Sequence, residues 1–168
     1  MRIKPAFLML AVVLAALVAF NYYNIAPKGI VTASIVERSE GLLVTYERVR
    51  YPANATVVSP DSDMVGFDME KHSLNFGVIP AGGGAGRFLD IKNPENRVIK
   101  IRIETHGNIS EFITLGESEI ILEPGEERSV EISFDPEDAT EPGEYSGEID
   151  ITKIISMNPL ADAILGWL

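Results

Sequence analysis

Between Ser73 and Ile155 apolar side chains recur at every second position, in short runs broken by turn chemistry. This period of two constrains the fold more than any other feature, because successive side chains alternate faces only in a strand. The stretch 72–93, HSLNFGVIPAGGGAGRFLDIKN, reads as a β-hairpin: a strand with Leu74, Phe76 and Val78 on one face, a glycine-rich turn, and a second strand with Leu89 and Ile91 inward. Residues 98–105 place Ile99, Ile101 and Ile103 against Lys100, Arg102 and Glu104. Shorter strands follow at 112–115 and 119–122, and Glu123-Pro124-Gly125-Glu126 is turn chemistry. Val130, Ile132 and Phe134 then alternate with Ser129, Glu131 and Ser133. After an acidic loop at 135–143, Tyr145, Gly147, Ile149 and Ile151 form an inner face, with Glu148 and Asp150 expected outside. Strands this short, with turns every 8–12 residues, predict an all-β, antiparallel sandwich over residues 70–155. No amphipathic helix of useful length separates them, which excludes a parallel α/β sheet.

The chain before the sandwich divides in two. Arg2 and Lys4 precede an apolar run from Pro5 to Phe20, and Tyr22 and Tyr23 follow it. About 20 helical residues span a bilayer, so residues 1–27 are expected to be an uncleaved signal-anchor or transmembrane helix. A cleaved signal peptide is the alternative, but the positions before a cut (Leu17 and Ala19, or Asn24 and Ala26) suit it poorly. The basic N-terminus places the rest outside the cytoplasm. Residues 28–69 are read as a β-rich stalk or as extra strands of the sandwich, with strands at 30–37 and 42–48 and a short run at 55–58 between prolines. At the other end, Asn158-Pro159 can cap a short apolar helix over 156–168, ending in Trp167 and Leu168. That tail either docks on the sandwich or meets lipid or a partner.

Composition removes several functions. With 14 basic and 25 acidic residues the formal net charge is −11, which opposes nucleic-acid binding. The absence of cysteine removes disulfides, thiolate metal sites and cysteine nucleophiles. His72 and His106 are expected as separate strand-border histidines, so no metal site is assigned, and no cofactor. The glycines at 82–86 lead into a strand and not a helix, which argues against a phosphate loop. The acidic groups Asp61, Asp63, Asp68 and Glu70, and Asp135, Glu137, Asp138 and Glu141, lack the spacing of a calcium loop and read as a solvated surface. No catalytic set emerges. Asn54 and Asn108 head the sequons Asn54-Ala55-Thr56 and Asn108-Ile109-Ser110 and are the candidate glycosylation sites. Ile35, Trp167 and Leu168 are the candidate interface residues.

Four pieces carry a resemblance: 74–77 with Phe76-Gly77, 89–93 ending in Asn93, 124–136 with Pro124-Gly125 and Phe134-Asp135-Pro136, and 142–151 with Gly143-Glu144-Tyr145-Ser146-Gly147. Together they resemble the immunoglobulin-like domains grouped as ASH, major sperm protein and PapD-like sandwiches. The resemblance implies a non-enzymatic adhesion, scaffold or assembly module, and it does not extend to the N-terminal segment, residues 30–68 or the tail. The expectation is a membrane-anchored, extracytoplasmic protein-binding or structural module of the cell envelope, with other surface proteins as partners and a homo-oligomer among the options. The alternative is a subunit or accessory protein of a surface filament, a pilus or archaellum, assembled by strand addition; archaellum accessory proteins share the layout of one N-terminal helix and an outer sandwich.

Overall fold

A computed structural model describes residues 29–41, 44–61 and 73–157, together with Met9 and Val12. Strand is its main element: β1 (Ile35–Glu40), β2 (Val44–Val58), β3 (Leu74–Pro80), β4 (Ala85–Lys92), β5 (Ile99–Gly107), β6 (Ile113–Leu115), β7 (Glu119–Leu122), β8 (Glu127–Phe134) and β9 (Gly143–Ser156). A 3-10 turn, Asn108–Phe112, joins β5 to β6. The strands make two sheets. The first runs β1-β2-β9-β5-β7 with β3 also on β2; the second runs β4-β8-β6. All pairings are antiparallel except β2 with β3. The class is therefore all-β. Among the described residues no helix is long and apolar enough to cross a membrane, and the expected anchor over 1–27 lies outside them except at Met9 and Val12. The expected tail helix also lies outside the described residues, apart from its first two positions, Ser156 and Met157.

The inward faces of the two sheets meet in one core. Phe76, Ile99, Ile101, Ile103 and Ile149 from the first sheet cluster with Ile91, Val130, Ile132 and Phe134 from the second. Phe134 is the centre of an aromatic group, with ring centroids 5.8 Å from Phe76 and 5.8 Å from Phe112. The alternation of β5, β8 and the inner face of β9 is thus as the sequence predicts.

Several expectations are corrected. Residues 72–93 are not a hairpin: β3 joins the first sheet and β4 the second, so the glycine turn carries the chain from one layer to the other. Within β3 Phe76 and Ile79 are buried while Val78 is half-buried, because Gly77 takes φ 85 and the ladder with β2 shifts register there. The first strand is Ile35–Glu40, later than the expected 30–37. The predicted runs at 42–48 and 55–58 are one strand of 15 residues, β2, that passes through Pro52.

Pro52 sits where a strand tolerates it. The Gly41 N–H donates to the Val44 carbonyl at 2.9 Å, so the even-numbered backbone groups of β2 point toward β1 and β3. β1 ends opposite Arg50 and β3 begins opposite Ala53, which leaves Pro52 at the seam between them, where no ladder donor is required. β2 also pairs with β9 from Val44 to Val57, so residues 44–58 are integral to the sheet. Ala53, Ala55 and Val57 enter the main core.

Two further sites fix the ends of the sheets. Gly107 lies opposite Gly147, and a Cβ on Gly147 would collide with the His106 carbonyl oxygen, so only glycine permits this approach of β5 and β9. Asn93 is fully buried at the end of β4. Its Nδ2 donates to the carbonyls of Arg97 (2.8 Å), Leu122 (3.0 Å) and Glu123 (3.0 Å), and its Oδ1 accepts from the Glu95 N–H at 3.0 Å.

Candidate functional site

The outer face of the first sheet holds the unexpected chemistry. Alternation places Arg48 and Arg50 of β2, Glu148, Asp150 and Thr152 of β9, and His106 of β5 on the face away from the core. The sequence reading puts Glu148 and Asp150 in solvent. In the structure they are 1% and 0% exposed, and Arg48 and Arg50 are 5% and 4% exposed. The correction has a physical cause: chain from before β1 lies over this face. Val31 is buried, its N–H donates to Glu148 Oε2 at 2.8 Å, and Arg50 Nη2 donates to the Gly29 carbonyl.

At the centre is a close ion pair. Arg50 Nη2 lies 2.7 Å from Glu148 Oε1 and 2.9 Å from Oε2. Charged donors and acceptors make the stronger hydrogen bonds, and low dielectric strengthens them further. Around this pair the contacts are looser. Asp150 is 3.7 Å from Arg50 Nε, 3.8 Å from Arg48 Nε and 3.8 Å from His106 Nε2. These are ion-pair spacings and not hydrogen bonds. Among the described residues, both Asp150 oxygens, Arg50 Nε and His106 Nε2 find no hydrogen-bond partner. Burial pushes the Asp150 carboxyl above the usual carboxylate range, and Glu148 adds to this; Arg48, His106 and Arg50 oppose it. Glu37 of β1 reaches the rim, 3.7 Å from Arg50 Nη1.

His106, Glu148 and Asp150 place ligand atoms within 4.8 Å of one another, a donor set that a divalent cation could use. The surroundings disfavour it. Both Glu148 oxygens already accept from Arg50, and Oε2 also from Val31, while two guanidinium groups flank Asp150. Two arginines and two carboxylates balance each other, and a cation would add uncompensated charge. The arrangement is built to hold charges in fixed geometry and to grip the backbone at Gly29 and Val31.

The other predicted positions are dispersed. Ile35 is 42% exposed on β1. Asn54 is exposed within β2, and Asn108 is exposed with its Oδ1 accepting from the Ser146 N–H at 2.7 Å. His106, expected as a solvated border histidine, is half-buried and faces Asp150. His72, Asp63, Asp68, Glu70, Trp167 and Leu168 lie outside the described residues. The late-loop carboxylates do not form a metal-type group among the described residues. The Gly82 and Gly83 N–H groups are engaged by Pro136 and Pro80 carbonyls, and so are not free to cradle an anion. Sequence reasoning missed the Arg48, Arg50, Glu148, Asp150 cluster; its one local signal is charge at i and i+2 on two strands, which also describes a solvated face. Comparison of the chain with protein-family models, with curated proteins and with solved structures finds no match.

Proposed function

We propose that this chain is a non-enzymatic recognition module of the cell envelope, held at a membrane by the apolar segment at 5–25 and carrying its β-sandwich outside the cytoplasm. The observation that carries the reading is the grip of the buried Arg50–Glu148 pair on Gly29 and Val31. These residues follow the apolar segment directly in sequence. A tether whose exit is fastened into the sheet presents the sandwich in one orientation, which a recognition surface needs and a freely diffusing domain does not. The resemblance to the ASH, major sperm protein and PapD-like immunoglobulin sandwiches supports the same function, since such domains act by binding. The ion cluster supports the absence of catalysis, because both Glu148 oxygens are engaged by Arg50, and Asp150, flanked by two guanidinium groups, is sealed from solvent.

Fractionation of cells expressing the full chain tests this reading. The protein is expected in the membrane fraction and resistant to carbonate extraction, with residues 29–157 digested by protease added from outside. Recovery in the soluble fraction, or protection of that region until the membrane is lysed, overturns it. A second reading, a filament subunit that assembles by strand addition, is favoured by one observation: among the described residues β1 is an edge strand paired on one side only.

A further inference from the structure

The β1 strand, Ile35–Glu40, is exposed at every position, and Ile35 and Val36 are among the large apolar side chains most open to solvent, at 42% and 71%. It pairs with β2 along one edge and, among the described residues, has no partner along the other. Such edges are normally blunted by charge, and β1 carries Glu37, Arg38 and Glu40. Their order decides what the edge accepts.

We propose that the β1 edges of two copies of this chain pair antiparallel about a two-fold axis, with Arg38 of each copy opposite Glu40 of the other. The phase of the backbone comes first. Because the Gly41 N–H donates to Val44, the groups of Glu37 and Ser39 point toward β2, and those of Val36, Arg38 and Glu40 point outward. A two-fold axis relating antiparallel strands stands perpendicular to the sheet and preserves its faces. It can therefore align only residues on the same face, and the outward-pointing Val36, Arg38 and Glu40 share one. With Ser39 on the axis, Arg38 meets Glu40 twice, and each of these pairs exchanges both of its backbone hydrogen bonds.

The neighbouring registers fail on charge. Sliding one step places Arg38 against its own symmetry mate; a second step places Glu37 against its mate; sliding the other way opposes the two Glu40 side chains. Like charges directly opposite one another destabilise an antiparallel pair. The side chains concerned are open to solvent, at 59% and 68% for Arg38 and Glu40, and among the described residues Arg38 reaches Glu40 (3.6 Å) and Glu47 (3.1 Å). The interface is isologous and closes at two copies. It rests on the reading of this chain as a recognition module and names the partner as a second copy, in place of open-ended strand addition.

The test uses the full chain, whose lack of cysteine gives a clean background. In the proposed register Ser39 faces Ser39 in a non-hydrogen-bonded pair with Cα atoms about 4.5 Å apart, within disulfide reach. Mild oxidation of Ser39→Cys is expected to give a covalent dimer faster than oxidation of Ser129→Cys, an exposed position on β8. Arg38→Glu and Glu40→Arg are each expected to raise the dimer dissociation constant roughly tenfold or more in sedimentation equilibrium. Mixing the two variants restores association as a heterodimer, as does combining both changes in one chain. Equal cross-linking at the two cysteines, charge variants that associate like the wild type, or growth beyond two copies overturns the proposal. A wild-type chain that fractionates with membranes yet stays monomeric removes the pairing and leaves the membrane reading standing.

Discussion

Replacing Arg50 by Met tests whether the buried charge cluster holds the outer face together. Methionine keeps much of the side-chain volume and removes the guanidinium. Among the described residues, Glu148, 1% exposed, then retains the Val31 N–H alone, and Asp150, 0% exposed, retains Arg48 and His106 at 3.8 Å. Removing one partner of a buried ion pair costs about 3–5 kcal/mol, because the other charge stays buried without compensation. Against a whole-domain stability of about 5–15 kcal/mol, this is a large fraction. Arg50→Met/Glu148→Leu removes the orphaned carboxylate as well and leaves Arg48 with Asp150, so it is expected to recover most of the loss. The pH dependence has a definite sign. In Arg50→Met the Asp150 carboxyl, already raised by burial, loses one of the cations that oppose the shift, so the folded state holds a proton that the unfolded state has released. Stability of the variant therefore rises as pH falls through that raised value, and its deficit against the wild type shrinks. Urea denaturation of the full chain at neutral and mildly acidic pH reads both effects, and hydrogen exchange at Val31 reads release of the N-terminal segment. A loss under about 1 kcal/mol at neutral pH refutes the argument, given the cost expected for a buried pair. So does a double variant as unstable as the single one, or a deficit that grows on acidification.

Other outcomes follow from the same reasoning. Asp150 carries a raised carboxyl pKa, so in the wild type it opposes folding above that value and ceases to do so as pH falls toward the unfolded-state value; a stability–pH profile of Asp150→Asn is expected to lack this segment of slope, and a superimposable profile contradicts it. Asn93→Asp replaces a donor facing three carbonyls with a carboxylate, and each buried group left unsatisfied costs about 1–3 kcal/mol; the variant is expected to melt far below Asn93→Ser and to improve at low pH, whereas equal melting of the two contradicts the hydrogen-bond assignment. Ile101→Asp places a charge where the native residue is 2% exposed, at the shared core, and is expected to leave the sandwich unfolded by circular dichroism; a native melting curve would mean that the register of β5 is wrong.

Legibility in the sequence followed the range of the physics. The strands β5 and β8 could be read because alternation of Ile99, Ile101 and Ile103 with charged neighbours, or of Val130, Ile132 and Phe134 with polar ones, is a property of the strand itself. The turn at Pro124 was equally local: Gly125 adopts φ 77 and the Glu126 N–H closes on the Glu123 carbonyl at 3.0 Å. Pairing was not local. Nothing in 72–93 distinguishes a hairpin from a crossing between layers, since both need two strands and a glycine turn. The candidate site was least legible, because its meaning depends on a cover supplied from elsewhere.

The sequence by itself thus determined an all-β chain, the inward face of most strands, and an apolar segment ahead of them, all from neighbours a few residues apart. Only the tertiary structure decided that β2 lies between β9 and both β1 and β3, and that Glu148 and Asp150 are interior. Arg50 meets Glu148 across 98 residues of chain and Val31 meets it across 117, and whether a charged face is solvated depends on what packs against it. Alternation states that a side chain points outward from the core; it cannot state what waits on the other side.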